Sequence, residues 1–234
     1  MPMPADIRPE SNTAKIEPMN TRKSTAVRPG RLIGIGAILV LLILMFFSTR
    51  IFTGSEANQT APGTFSPQSF AQEKYESEIA PDIVKRATDI ATVSQAIGAD
   101  PAAAAKQYGV VSGTSPAVYS VKVTGIAGAP DANGLVPVKV DGVPADIKVL
   151  VQMGPAVNGT AVRDATGKVE YVQFKNQIDY QNVGAELNNQ VKKLVLAKVD
   201  AKAMEGKTVS VVGAFQLINP AAYIVTPVKV DVTK

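Results

Sequence analysis

Eighteen successive residues, Leu32 to Thr49, carry no charge, and Leu32–Phe47 contains only Leu, Ile, Val, Phe, Met, Ala and Gly. A helix of about 20 apolar residues spans a bilayer core of roughly 30 Å. With Ile51 and Phe52 the run approaches that length. Arg22, Lys23, Arg28 and Arg31 stand before it, and Arg50 interrupts only its far end. The positive-inside rule then holds residues 1–31 in the cytoplasm and sends the remainder across the membrane. The expected location is a bacterial inner membrane, crossed once, with the C-terminal domain in the periplasm. A cleaved signal peptide is the rival reading, because Ser55-Glu56-Ala57 supplies small residues at a plausible cleavage site. The long preceding tail and an apolar run beyond the usual 7–15 residues favour an uncleaved anchor.

Composition narrows the rest. Lysine and arginine number 24 and the acids 20, a net charge of +4. Residues 1–31 hold six of those bases and three acids, so the tail accounts for +3. The exported part is nearly neutral, which argues against nucleic acid as a partner, since phosphate neutralisation needs clustered bases. There is no Cys, no His and no Trp. Disulfides, thiolate nucleophiles, Ser-His-Asp triads and imidazole metal sites are therefore excluded.

Four segments are expected. Residues 1–31, polar and without hydrophobic period, read as a disordered cytoplasmic tail. Residues 32–52 are the transmembrane anchor. Residues 53–68, with Gly54, Pro62, Gly63 and Pro67, read as a flexible stalk. Residues 69–234 form the periplasmic domain, which opens on helices.

The helical pattern emerges from Pro67, where Ser66 or Ser69 can cap a start, and Pro81 should kink or restart it. Ile83, Ala87, Ile90, Ala91 and Ile97 approximate one helical face. Asp100-Pro101 is a start signal for a short helix ending at Gly109. Strands are expected at Tyr119–Thr124, Gly134–Val140, Ile147–Met153 and Val169–Phe174. A helix with the stripe Val183, Leu187, Val191, Leu194 and Val195 comes next, capped by Asn182 or Asp179. Strands Val209–Phe215 and Tyr223–Val232 close the chain, and Pro227 marks an edge or a bulge. A helix between the third and fourth principal strands of a five-stranded barrel is the OB layout. The expected fold class is α+β: an OB-like β-barrel with an N-terminal helical lobe, or else an open antiparallel sheet covered by helices.

Several stretches carry a family resemblance. They are Asp100-Pro101 with Lys106–Gly109, Gln152–Thr160 with Arg163-Asp164, Phe174–Tyr180, Val183-Gly184 with Leu187-Asn188, Gly206-Lys207, Gly213–Phe215 and Val225–Val228. In this order and spacing the chain resembles the predicted periplasmic lipoprotein family called domain of unknown function 2291, from about Phe65 to Val232. The resemblance implies an envelope protein often encoded beside sugar ABC-transporter genes, and it assigns no catalytic residues. Lipoprotein members carry a lipobox cysteine; this chain has none, so its anchorage falls to the apolar run.

The densest polar cluster runs from Asn158 to Asn182. Asn158, Thr160, Arg163, Asp164, Asn176, Gln177 and Asp179 are the candidate ligand-binding residues, with Gln173 and Asn182 nearby. Amides, a carboxylate and an arginine are the groups that hydrogen-bond sugar hydroxyls or a carboxylated ligand. Tyr171, Phe174 and Tyr180 offer a stacking face. The same residues also suit turns and helix caps. Asp164 and Asp179 are the one acid pair to inspect for glycoside chemistry. No metal site or cofactor loop is present. The expected function is a non-catalytic binding or interaction module accessory to a sugar ABC transporter, with a sugar or a transporter subunit as partner. The alternative is a structural or assembly protein of the envelope.

Overall fold

The computed structural model describes residues 65–233. The tail, the Leu32–Phe52 run and most of the stalk lie outside the described residues. Among those described, no helix is long and apolar enough to cross a membrane.

Five strands alternate inward and outward side chains and close on themselves. They are β3 (Val118–Ala127), β4 (Leu135–Lys139), β5 (Lys148–Gln152), β6 (Thr208–Gln216) and β7 (Ala222–Val232). Their order is β3-β4-β5-β7-β6, and β6 pairs back onto β3 along nine residues, Val118↔Gln216 to Ile126↔Thr208. All neighbours are antiparallel except β5 and β7, which run parallel. This is the closed Greek-key barrel of an OB-fold. The expected barrel is present, and the open-sheet alternative is not. Two-residue strands β1 (Thr88–Asp89) and β2 (Gly109–Val110) add to β3 and have no counterpart in the sequence reading.

The barrel interior follows from the period of two. Tyr119, Val121 and Val123 from β3, Val209, Val211 and Phe215 from β6, and Tyr223 and Val225 from β7 all point inward. Tyr119, Phe215 and Tyr223 stack in series, with centroids 5.3 and 4.6 Å apart. β7 then changes face. Its register against β6 slips beside Val212 and Gly213, so inward Tyr223 and Val225 are followed by outward Val228. The slip is a bulge at Pro227, as the sequence suggested, but β7 is no edge strand. Gly213 sits where β7 crosses closest, and a Cβ there would overlap the Thr226 carbonyl.

A second core lies on the barrel's outer face. Helix α1 (Pro67–Lys74) begins inside the segment read as stalk, with the Ser66 hydroxyl accepting from Ser69 N–H. It passes through a π-helical turn, Tyr75–Ile79, into α2 (Ala80–Arg86). Ala71, Tyr75, Ile79 and Ile83 recur every four residues and are all buried. An α-helix turns every 3.6 residues, so that stripe would wander off one face. The π turn corrects it, with Ala80 N–H donating to the Tyr75 carbonyl five residues back. The turn also lies just before Pro81, which has no N–H to donate. The stripe packs against Val183, Leu187 and Val191 of α6 (Gln177–Leu194) and against Val118, Ala214 and Val228 of the barrel.

Two expectations are corrected here. Ile83, Ile90 and Ile97 do not share a helical face, because the chain breaks at β1. The Asp89 carboxylate caps a new helix, α3 (Ile90–Ala99), by accepting from Ala91 N–H. Ile83 therefore joins the outer core, while Ile90, Val93 and Ile97 close the end of the barrel. The Asp100-Pro101 signal does start a helix, α4 (Pro101–Tyr108). Val169–Phe174 is not a strand but a 3-10 turn over Tyr171–Gln173. Reciprocal bonds between Glu170 and Gln173 close it, and Gln173 also donates to the Lys168 carbonyl at 3.1 Å.

Candidate functional site

The Asn158–Asn182 cluster divides into three groups with different tasks. At its centre, α5 (Ala161–Asp164) carries Arg163, which is 8% exposed. The guanidinium forks onto the neighbouring Asp164 carboxylate, Nε to Oδ1 at 2.7 Å and Nη2 to Oδ2 at 3.0 Å. Nη1 donates to the Tyr180 carbonyl at 3.3 Å, and the guanidinium carbon lies 3.7 Å from the Tyr180 ring centre. Tyr180 in turn donates its hydroxyl to Asp164 at 3.3 Å. Three of its five N–H donors and one face of the guanidinium are engaged within the protein, and these contacts tie α5 to α6. Burial raises the Tyr180 phenol above its ordinary pKa; the Asp164 charge adds to the rise and Arg163 opposes it.

The second group is the start of α6. Asn176, rather than Asp179 or Asn182, is the N-cap. Its Oδ1 accepts from Asp179 N–H at 2.9 Å, while its Nδ2 donates to the Asp179 carboxylate at 2.9 Å. Gln177 and Asn182 are exposed on the first turns of that helix. Of the three aromatic residues, Phe174 is buried and Tyr180 half-buried, while Tyr171 is exposed. They continue a chain of rings through Phe65 and Phe70, with neighbouring centroids 5.2–5.9 Å apart. Asp164 and Asp179 are each committed to bonds within the fold, one to Arg163 and the other to Asn176.

Asn158 and Thr160, the third group, line a groove of about 420 Å³ on the outside of the barrel. The barrel supplies its floor. Outward residues of β4, β5 and β7, namely Leu135, Gln152, Ala222, Ile224 and Thr226, meet there. Loops supply the walls: Asn133 from the β3–β4 loop, Ile218 and Asn219 from the β6–β7 loop, and Ala156–Ala161 after β5. No charged side chain lines it.

Buried amides build the wall after β5. Gln152 is 4% exposed and spans the loop base, accepting from Asn158 N–H at 2.8 Å and donating to the Asn158 carbonyl at 3.0 Å. It also donates to the Thr226 hydroxyl at 2.7 Å. From behind, Asn188 of α6 donates to the Gly159 carbonyl at 2.8 Å and to that of Val157 at 3.3 Å. The β3–β4 loop is pressed onto this wall through two glycines. Met153 N–H donates to the Gly134 carbonyl at 2.9 Å, and a Cβ on Gly134 or Gly154 would overlap the facing backbone. With the backbone so held, the Asn133 and Asn158 side chains make no hydrogen bond among the described residues and are exposed at the rim.

The sequence reading missed Asn133, Leu135, Gln152, Gln216, Ile218, Asn219, Ile224 and Thr226, which come from four separated segments. The topology was the one signal that pointed to them. OB barrels bind ligands over their second and third strands, between the first-to-second and fourth-to-fifth strand loops. In this chain those are β4, β5, the β3–β4 loop and the β6–β7 loop.

A solved structure, an OB-fold protein from Thermotoga maritima, is similar to this chain with a TM-score of 0.57 and 21% sequence identity. The likeness covers 73% of this chain and 99% of that one, and at this identity it speaks for the fold. No curated protein matches the chain. The family described as predicted periplasmic lipoprotein (DUF2291) matches residues 38–231, which take in the barrel but for its last residue, the helical layer and the groove. The chain belongs to that family, the predicted periplasmic lipoproteins of domain of unknown function 2291, and within it departs from the lipoprotein pattern by having no cysteine.

Proposed function

We propose that the protein is a membrane-tethered periplasmic binding module that takes a neutral, hydroxyl- or amide-bearing ligand in the groove over β4, β5 and β7. The observation that carries this reading is the lining. Amides and hydroxyls surround an apolar floor, with neither a base nor an acid among them. A phosphate or carboxylate ligand has no charged partner there. A nucleic acid would release no counterions on binding. The reading is non-catalytic, because the groove offers no carboxylate pair and no base beside its threonine hydroxyls. The resemblance to proteins encoded beside sugar ABC transporters makes a saccharide the first class to test, and the module an accessory of uptake.

Thermal unfolding against a panel of neutral mono- and oligosaccharides tests the proposal. A ligand at 100 times its dissociation constant stabilises by about 2.7 kcal/mol. In a domain of this size that raises the midpoint by roughly 5–11 °C. Asn133→Ala with Asn158→Ala removes the two free rim amides while leaving the backbone clasp of Gln152 in place. The double variant is expected to unfold at the wild-type midpoint without ligand and to lose the ligand-induced shift. A selective shift that survives the double substitution places binding elsewhere.

A further inference from the structure

Three exposed apolar side chains flank Phe174, close to where the chain enters the domain. Tyr171 is 52% exposed, Val172 83% and Ile178 68%, all within eight residues of sequence. They lie on the 3-10 turn and the first turn of α6, on either side of Phe174, which is buried. Phe174 holds both elements against the start of the domain: its ring meets Phe65 edge-on at 5.2 Å and Phe70 at 5.7 Å. The turn is closed at both ends by the bonds of Glu170 and Gln173, so Val172 is presented on a rigid base.

The chain length bounds how far this patch can stand from the bilayer. Twelve residues, 53–64, separate Phe52 at the end of the apolar run from Phe65. Whatever their conformation, they reach no further than ~45 Å. A domain of this size is itself about 40 Å across. The Phe65 side of the domain therefore stays within about one domain diameter of the bilayer. The exposed apolar residues are on that side, packed through Phe174 onto Phe65.

We propose that Tyr171, Val172 and Ile178 insert into the outer interface of the bilayer and set the domain's orientation on it. This rests on the reading of residues 32–52 as an anchor. An amphipathic tyrosine flanked by aliphatic side chains suits the headgroup boundary. Three side chains are far short of the ≈ 800 Å² per partner typical of a stable protein interface. A tethered patch needs much less, because the tether supplies a high effective concentration. The charges around it, Lys168, Lys175, Lys74 and Arg86 against Glu170, Asp179, Glu78 and Asp82, balance, so insertion is apolar and insensitive to salt.

The absence of cysteine permits a clean test. Full-length protein is placed in nanodiscs of phosphatidylethanolamine and phosphatidylglycerol, one copy per disc. A polarity-sensitive fluorophore is attached to Val172→Cys or, as the control, to Glu205→Cys. Glu205 is exposed just before β6, whose first residues pair with the far end of β3 from Val118. Alkaline extraction of membranes first reports whether the full chain is integral. Release into the supernatant removes the anchor and the docking together. With the chain retained, the expected result is that spin-labelled lipids quench the Val172 probe at least twofold more than the control, unchanged by 0.5 M salt. Equal access of aqueous iodide to both probes overturns the docking while leaving the anchor standing. A Val172 probe shielded from iodide but not quenched by the lipids points to a protein partner and also overturns it.

Discussion

Arg163 is the residue type most readily read as a ligand contact, yet it is buried and three of its five N–H donors are used inside the protein. Its fork onto Asp164, its bond to the Tyr180 carbonyl and the ring beneath it bind it to the protein itself. A buried charge is tolerated when it is paired, and removing one partner typically costs about 3–5 kcal/mol. Asp164→Asn is nearly isosteric and leaves the guanidinium without its counter-charge. Its urea midpoint is expected to fall by a corresponding amount, while the ligand-induced shift of the thermal midpoint persists in the variant. Loss of ligand binding with an unchanged midpoint would restore this pair to the site. Gln152 carries the converse lesson: an unremarkable amide at a strand end, it clasps the loop that presents Asn158.

Helix α6 turns on one cap. Asn176 satisfies Asp179 N–H and also holds the Asp179 carboxylate beside the helix start, where the macrodipole favours negative charge. Asn176→Ala is expected to cost about 1 kcal/mol, seen as a fall of roughly 2–4 °C in a circular-dichroism melt. Asn176→Ser should recover most of it, since a serine oxygen caps nearly as well. If Ala and Asn melt together, the first turn of α6 is held instead by Phe174 and Tyr180 of the aromatic chain. Aromatic packing also explains why residues 169–174 turn rather than extend. Val169 and Phe174 are both buried, five positions apart, and alternation would have placed them on opposite faces.

Across the molecule, the pH response follows from its tyrosines. There is no histidine to titrate near neutrality. Burial raises the phenols of Tyr75, Tyr119, Tyr180 and Tyr223 above their ordinary value of 10.0. Glu76 adds to the rise at Tyr75, while Ser94 opposes it at Tyr223. Above pH 10 the unfolded chain releases phenolic protons that the folded chain retains. The stability these groups contribute is therefore complete below pH 10 and drains away as pH rises beyond it. Denaturation midpoints between pH 8 and pH 11.5 are expected to decline only at the alkaline end, and Tyr75→Phe to make the decline shallower. A steady midpoint through pH 11.5 would contradict this account.

Much of the barrel was legible in the residues because its signals are local. Alternation marks β3 and β4, Asp100-Pro101 starts α4, and Pro227 announces the bulge. The placement of one helix between the third and fourth principal strands was enough to name the topology. The exclusions were also local: without Cys, His or Trp, whole classes of chemistry are absent whatever the fold. The groove was not legible, because Asn133, Gln152, Asn158, Asn219 and Ile224 meet only after the barrel closes and β7 lies parallel to β5. Nor could the sequence separate polar residues that face a ligand from those that bind each other. Asn158 and Arg163 are five positions apart, and one stands free at a rim while the other is sealed under Tyr180. Composition and periodicity set which elements form. Which polar atoms remain unpaired depends on contacts between elements distant along the chain, and in this protein those contacts make the groove.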